Sequence, residues 1–113
     1  MKKIEKPWGA EELLEHNEFY VVKRLLMKAG HSCSLQYHEH KHETVYIISG
    51  SLDLTIGDDE ENLDHITLEP NEYYVIPPRK IHRMTGISDC IYLESSTTEL
   101  NDVIRIKDDY GRK

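Results

Sequence analysis

The sequence is short of cysteine and of long apolar runs. Its two cysteines, Cys33 and Cys90, are too few and too far apart to indicate a disulfide framework, and we expect both to be reduced and buried. The longest apolar runs, such as Val45 to Ile48, are far shorter than the roughly 20 residues of a membrane-spanning helix. The first eight residues, MKKIEKPW, lack the apolar core of a signal peptide. These absences predict a cytoplasmic protein with no membrane partner.

Positive charge is also scarce. The chain has 14 Lys and Arg against 21 Asp and Glu, a formal net charge of −7, which is the wrong sign for a surface that neutralises nucleic-acid phosphates. We therefore expect no nucleic-acid partner. At 113 residues and 13.2 kDa, the chain suffices for one hydrophobic core and is too short for two ordinary domains. A single domain over residues 1–113 follows, and a core of this size needs no structural metal.

What the sequence does contain is short runs of β-branched and aromatic residues separated by turn residues, a pattern typical of an all-β sandwich or barrel. The predicted strands are Phe19 to Met27, Ser32 to Tyr37, Thr44 to Ser49, Leu52 to Ile56, His65 to Leu68, Tyr73 to Ile76, Cys90 to Ser95 and Val103 to Ile106. Only Ala10 to His16 looks helical, and it fits a turn equally well. Pro77 and Pro78 end the strand before them, so the segment from Pro77 to His82 is predicted to be a loop that repositions His82.

Three of the seven histidines lie within five residues, at His38, His40 and His42, and Glu43 follows them. Side chains two residues apart on a strand share a face, so His38 and His40 together can bind one cation. An unbroken strand would add His42 to the pair, whereas a turn after His40 would bring Glu43 back to the site. The local pattern leaves both alternatives open.

The spacing of these residues resembles the cupin superfamily. Its first motif has a His-x-His pair, a Glu, six residues and a Gly, which His38, His40, Glu43 and Gly50 match. Its second motif places a Pro, another Pro and a His at the intervals found here for Pro70, Pro77 and His82. Asn71 and Arg79 stand where that motif usually has glycine. The resemblance implies an antiparallel jelly-roll β-barrel with a metal inside.

Within the cupins, the chain is most similar to the C-terminal isomerase domain of type II mannose-6-phosphate isomerases. The similarity extends over nearly the whole chain and rests on the segments Lys6 to Gly9, Val22 to Arg24, Ser34 to Gln36, His38 to Glu43, Ser49 to Gly50, Ile76 to Pro77, His82 to Arg83 and Asp108 to Arg112. Lys41 replaces the family's Arg, and Thr44 and Val45 replace its His-Trp, so the substrate pocket is expected to differ. The chain has neither the length nor the Gly-rich loop for the guanylyltransferase domain that precedes this one in the family.

The resemblance implies a metal site at His38, His40, Glu43 and His82. This mixed nitrogen and oxygen set accepts Zn, Mn, Fe, Ni or Co, and the sequence does not select among them. The catalytic candidates are Lys41, Arg83 and Arg112, and phosphate would be held by a subset of the cations Arg79, Lys80, Arg83 and Arg112. The base that aldose–ketose isomerisation requires is left open among Lys41, Glu94 and the tyrosines.

The leading hypothesis is therefore a metal-dependent sugar-phosphate isomerase resembling mannose-6-phosphate isomerase. The alternatives are a non-catalytic, metal-containing module that binds a sugar phosphate or a sugar nucleotide, and a cupin oxygenase or lyase. The resemblance also implies a homodimer. The strand from Phe19 to Met27 is apolar on both faces, which suggests that it pairs with a partner's sheet.

Overall fold

Two antiparallel sheets enclose a shared core. The computed structural model describes residues 2–112, which form eleven strands and no helix, so no helix within this range is able to cross a membrane. In chain order the strands are β1 (Lys2–Lys6), β2 (Gly9–His16), β3 (Val21–Met27), β4 (Leu35–Tyr37), β5 (Glu43–Ser49), β6 (Leu52–Gly57), β7 (Leu63–Leu68), β8 (Tyr73–Ile76), β9 (Ile81–Gly86), β10 (Cys90–Ser96) and β11 (Ile104–Lys107).

The order of the strands is that of a jelly roll. One sheet has six strands in the order β1-β2-β3-β10-β5-β8, and the other has five in the order β11-β4-β9-β6-β7. Strands distant in sequence, such as β3 and β10, are neighbours, and the chain crosses between the sheets repeatedly. The predicted all-β jelly-roll fold is confirmed, and each of the eight predicted strands is present with small shifts at its ends.

The core lies between the inner faces of the two sheets. Its fully buried side chains alternate along their strands, as expected where one face of a sheet packs on the core. They are Leu25, Met27, Val45, Ile47, Ile76, Cys90 and Tyr92 from the larger sheet, and Leu52, Leu54, Ile56, Leu68 and Met84 from the smaller. Both cysteines are free thiols. Burial raises the pKa of Cys33 to about 12 and that of Cys90 to about 11, so both stay protonated and unreactive.

The predicted helix or turn from Ala10 to His16 is wrong, because this segment is strand β2. Its two edges are hydrogen-bonded to β1 and β3, and these two ladders outweigh the local helical preference of its glutamates and leucines. Strand β1 escaped prediction because Lys2–Lys6 is almost entirely exposed and charged.

The predicted loop that ends at His82 is also corrected, because His82 belongs to strand β9. This strand lies between β4 and β6, in the middle of the smaller sheet. His82 occupies an inward position that an apolar residue would normally fill, which removes the alternation by which a strand is recognised.

The strand suggested for pairing with a partner's sheet has no free edge. The observed β3 lies between β2 and β10, and both of its edges are hydrogen-bonded within the chain. A strand adds to another sheet only through an unpaired edge, so this route to a homodimer is not available.

Candidate metal centre and cavity

Three predicted ligands meet in the interior from three different elements. His38 follows β4, Glu43 begins β5 and His82 lies on β9, and their ligand atoms all lie within 4.8 Å of one another. All three side chains are buried, with at most 3% of each residue exposed. Glu43 Oε1 lies 3.1 Å from His38 Nε2 and 3.2 Å from His82 Nε2. The carboxylate therefore bridges two imidazoles that approach it from the opposite sheet.

The outer nitrogens of both rings are held by backbone carbonyls. His38 Nδ1 donates to the carbonyl of Asp102, and His82 Nδ1 donates to the carbonyl of Lys80 over 2.8 Å. These bonds fix each ring so that Nε2 points inward, which is how metal-binding histidines are usually oriented by the groups behind them.

The inner face of the cluster has unused ligand capacity. Glu43 Oε2 is buried without a hydrogen-bond partner, and its nearest cation is Lys41 Nζ at 3.8 Å. His82 Nε2 is also buried, and its contact with Glu43 Oε1 is not aligned as a hydrogen bond. Two imidazole nitrogens and a carboxylate, with room left for water or substrate, fit a divalent transition metal.

The electrostatics of the cluster also suit a cation. Burial by itself would raise the pKa of Glu43, but His38, His82 and Lys41 outweigh it and hold the pKa well below its usual value. Burial would lower the pKa of His82, and the Glu43 carboxylate reverses this and raises it. Glu43 is therefore an anion that favours positive charge beside it. A bound metal ion would supply that charge in place of a proton on His82.

The fourth predicted ligand, His40, is not brought to the cluster. Strand β4 ends at Tyr37, and the loop that follows turns His40 out to the solvent. The turn is held by the carboxylate of Asp102, which accepts hydrogen bonds from the backbone N–H groups of Glu39, His40 and Lys41 over 3.0, 2.7 and 2.9 Å. Because the strand does not continue, residues 38 and 40 share no face, and the turn returns Glu43 instead.

A cavity of about 500 Å³ opens beside the cluster, and His38 forms part of its wall. Apolar side chains, among them Trp8, Leu25, Met84 and Tyr92, cover one part of the lining. Six cationic side chains and two carboxylates cover another, and they are Lys2, Lys6, Lys23, Lys41, Arg105, Arg112, Glu11 and Glu94. The excess of cations stands out in a chain whose net charge is −7. The cavity is therefore suited to an anionic ligand.

Comparison with known proteins identifies the family. The family model described as "Mannose-6-phosphate isomerase C-terminal" matches residues 1–108. The chain belongs to this family. A relative, the mannose-1-phosphate guanylyltransferase ManC of Salmonella typhimurium, is 31% identical over an alignment of 116 positions, which covers 98% of this chain and 23% of that protein. The chain spans about a quarter of the length of the curated relatives it matches.

Solved structures show that this family member has the cupin fold. KdgF from Halomonas sp. superimposes with a TM-score of 0.78 at 13% identity and covers 90% of both chains. Oxalate decarboxylase of Bacillus subtilis, a protein with Mn(II) centres, superimposes with a TM-score of 0.80 at 15% identity. It covers 94% of this chain and 30% of that one. At these identities the likeness establishes the fold alone.

Two of the three predicted catalytic residues lie in the cavity. Lys41 is buried beside Glu43. Arg112 lines the cavity wall, and its guanidinium donates from Nε and Nη2 to the two carboxylate oxygens of Asp108 over 3.2 and 2.9 Å. Arg83 does not reach the cavity. It follows the inward-facing His82 on β9, so alternation turns it to the other face of the sheet, where its Nη2 contacts the Lys107 carbonyl and Asp109.

Two other phosphate candidates also lie elsewhere. Lys80 pairs with Asp58 over 2.7 Å, and Arg79 lines a second, more open depression with Tyr37 and Ile81. The cations that do line the main cavity come largely from β1, β3 and the C-terminal segment. Lys23 lies in one of the segments that carry the family resemblance, but the hydropathy pattern indicates neither Lys23 nor Arg105, because inward-facing charges on strands do not follow the usual apolar pattern.

Gln36 is the residue beside the metal cluster that the sequence reasoning missed. It lies two residues before His38, lines the same cavity, and stands opposite His82 in the register between β4 and β9. The pair that shares a face at this point of the chain is thus Gln36 and His38, rather than His38 and His40. The alternation of the strand from Ser32 to Tyr37, extended by one residue, was the available signal.

Proposed function

We propose that this domain binds a divalent transition metal at His38, Glu43 and His82 and isomerises a sugar phosphate between its aldose and ketose forms. The observation that carries the proposal is the position of His38, which belongs to the buried cluster and also to the wall of a cation-lined cavity. A ligand in the cavity would therefore meet a Lewis-acidic centre and a positively charged lining together. The family name and the phosphorylated sugar in the name of ManC support the same substrate class.

Each part of the cavity has a role in this proposal. The metal, when bound, would polarise the substrate carbonyl and acidify the proton on the adjacent carbon. Arg112, already oriented by Asp108, is placed to bind phosphate oxygens together with Lys6 and Arg105. Lys41 keeps its ammonium beside the metal cluster, where it offsets negative charge developing on the substrate. A volume of about 500 Å³ lies within the range of roughly 300–1,000 Å³ usual for small-molecule sites.

The direct test is turnover. Purified protein loaded in turn with Mn, Fe, Co, Ni and Zn is mixed with mannose 6-phosphate, and formation of fructose 6-phosphate is followed by NMR. We expect conversion with at least one metal, at a rate on the order of 1 s⁻¹ or faster, and none after chelation. A panel of other hexose and pentose phosphates covers a different preference within the class.

The controls separate the isomerase from a binding module. His38→Ala is expected to abolish turnover, whereas His40→Ala, which removes an exposed histidine outside the cluster, should leave it intact. Calorimetry with the same sugar phosphates runs in parallel. Saturable binding to the metal-loaded protein without turnover on any of them would contradict the isomerase and favour a non-catalytic module.

A further inference from the structure

One carboxylate in the cavity has no partner among the described residues. Glu94 lies on β10, where its neighbours across the sheet are Lys23 on β3 and Val45 on β5, both buried. Its side chain is on the inner face with theirs and lines the cavity. Within residues 2–112, its carboxylate makes no hydrogen bond and no ion pair. By contrast, the second cavity carboxylate, Glu11, is paired with Lys23 Nζ at 3.3 Å.

The surroundings of Glu94 keep it available to receive a proton. The charged groups that act on it come from four elements, namely Glu43 on β5, Lys41 in the loop before β5, Lys23 on β3 and Glu11 on β2. Burial raises the pKa of Glu94 to about 7, Glu43 adds to the increase, and Lys41 and Lys23 oppose it. A carboxyl group with this value exchanges a proton readily near neutral pH.

The other titratable groups of the cavity are less suited to this task. The hydroxyl of Tyr92 keeps its proton, because burial raises its pKa well above the usual value. His38 is engaged at both ring nitrogens, by the Asp102 carbonyl and by Glu43. Lys41 directs its ammonium at Glu43, and the other basic side chains of the cavity are lysines and arginines, which act as hydrogen-bond donors. Glu94 is left as the group free to accept a proton from a ligand.

We propose that Glu94 is the catalytic base that transfers the proton between the two carbons of the sugar phosphate, an inference that rests on the function proposed above. The carboxylate takes the proton from C2 of the aldose, the C–H electron pair becomes the C1–C2 double bond, and the carbonyl π pair moves to O1. Glu94 then returns the proton to C1, and the hydroxyl proton of O2 passes to O1. The ketose forms with no net gain or loss of atoms or electrons.

The test compares Glu94→Gln with Glu12→Gln in the metal-loaded protein. Glutamine keeps the shape of the side chain and cannot take the proton, so kcat should fall by roughly 10²- to 10⁴-fold, the range expected for loss of a general base. KM and bound metal should stay within about threefold, since Glu94 is not a ligand of the proposed metal site. Glu12 lies on the outer side of the same sheet, paired with Arg24, and its variant should retain full activity.

The pH dependence provides a second readout. We expect kcat of the wild type to decline below about pH 7 as Glu94 becomes protonated, and the residual kcat of Glu94→Gln to lack this decline. Glu94→Asp, which retains a carboxylate, should recover part of the lost rate. The assignment would be overturned if Glu94→Asp were no more active than Glu94→Gln and if kcat of Glu94→Gln declined below pH 7 as it does in the wild type.

A third readout needs neither metal nor substrate. Glu94 is half-buried, and its carboxylate has no partner among residues 2–112. Replacing it by a neutral amide should therefore make the metal-free protein more stable than the wild type at pH 8. The difference should shrink as the pH falls through about 7 and disappear only below the ordinary glutamate pKa of 4.5, where the carboxyl group is neutral in the unfolded chain as well. A Glu94→Gln variant less stable than the wild type at pH 8 would show that the carboxylate has a partner and would overturn the inference.

The outcomes distinguish the two proposals. Turnover by the wild type with Glu94→Gln within tenfold of it would overturn the role of Glu94 and leave the isomerase standing. A wild type that binds metal and turns over none of the sugar phosphates would overturn the isomerase and, with it, the role of Glu94. Loss of kcat together with loss of metal would also count against a base, since Glu94 would then be acting through the metal site.

Discussion

Replacing His82 with alanine is expected to abolish metal binding. His82 is fully buried, and its ring is fixed by the Lys80 carbonyl so that Nε2 faces Glu43. The variant leaves only one imidazole and one carboxylate for the ion. Loss of a residue that only hydrogen-bonds to a metal ligand typically lowers metal affinity by up to roughly 100-fold, and we expect the loss of the ligand itself to lower it further. Metal content of the purified protein, measured by elemental analysis, should drop from about one ion per chain to background.

The same substitution is expected to destabilise the metal-free protein. It removes one of the two imidazoles that neutralise Glu43 and leaves space in the core, so we expect a loss of about 3 kcal/mol. His82→Gln, which fills more of that space, separates the loss of the ligand from the loss of packing. It should recover part of the stability and none of the metal.

His40→Ala is the matched control, because it removes a histidine from the same stretch of sequence that lies in solvent. Its metal content and unfolding temperature should equal those of the wild type. Loss of metal from His40→Ala would show that the loop from residue 38 to residue 42 rearranges to a four-ligand site. Retention of metal by His82→Ala would refute the cluster itself.

The fold was predictable because most strands bury one face and expose the other. Leu52, Leu54 and Ile56 are buried, and the turns between the strands carry their usual residues. Gly50 adopts φ = 78°, and a Cβ at this position would lie 2.1 Å from the Asp89 carbonyl oxygen, which explains the glycine of the first motif. Strand β9 was not predictable in this way, since the site itself occupies its inner face.

Two departures from the second cupin motif are explained by the backbone. Asn71 and Arg79 stand where glycine is usual, and they adopt φ values of 73° and 68°. Both positions therefore keep the left-handed conformation that glycine favours, and the turns keep their shape at some cost in strain. The backbone N–H of Arg79 also donates to the carbonyl of His38 over 2.6 Å, so this turn helps to hold the backbone of a proposed metal ligand.

The candidate site was predictable in part. The spacing of His38, Glu43 and His82 indicated a common site, and all three meet in the interior. The place of His40 was not predictable, because it depends on Asp102, a residue more than sixty positions away that ends the strand by binding the loop. The cationic lining of the cavity could not be predicted for a similar reason, because its side chains come from both ends of the chain. Long-range contacts of this kind leave no local pattern.

Asp102→Ala is expected to loosen the metal site without touching a ligand side chain. The Asp102 carboxylate accepts three backbone hydrogen bonds from the loop between His38 and Glu43, the two ligands that this loop joins. Water can replace part of these bonds at the surface, so the net loss of stability should be about 2–3 kcal/mol. Metal affinity should fall by roughly 10- to 100-fold, as for other residues that hold ligands in place. Chemical denaturation and metal titration measure the two effects.

The pH dependence identifies the carboxylate as the cause. Burial would raise the pKa of Asp102, but the three N–H groups outweigh it and lower the pKa to about 2, against an ordinary value of 3.8. Its contribution to stability is therefore complete above pH 4 and disappears as the pH falls through about 2. Asp102→Ala should lose less stability than the wild type over that interval, whereas Asp64→Ala, which removes an exposed carboxylate on β7, should follow the wild type. Parallel acid unfolding curves for Asp102→Ala and the wild type would show that the loop is held by other contacts.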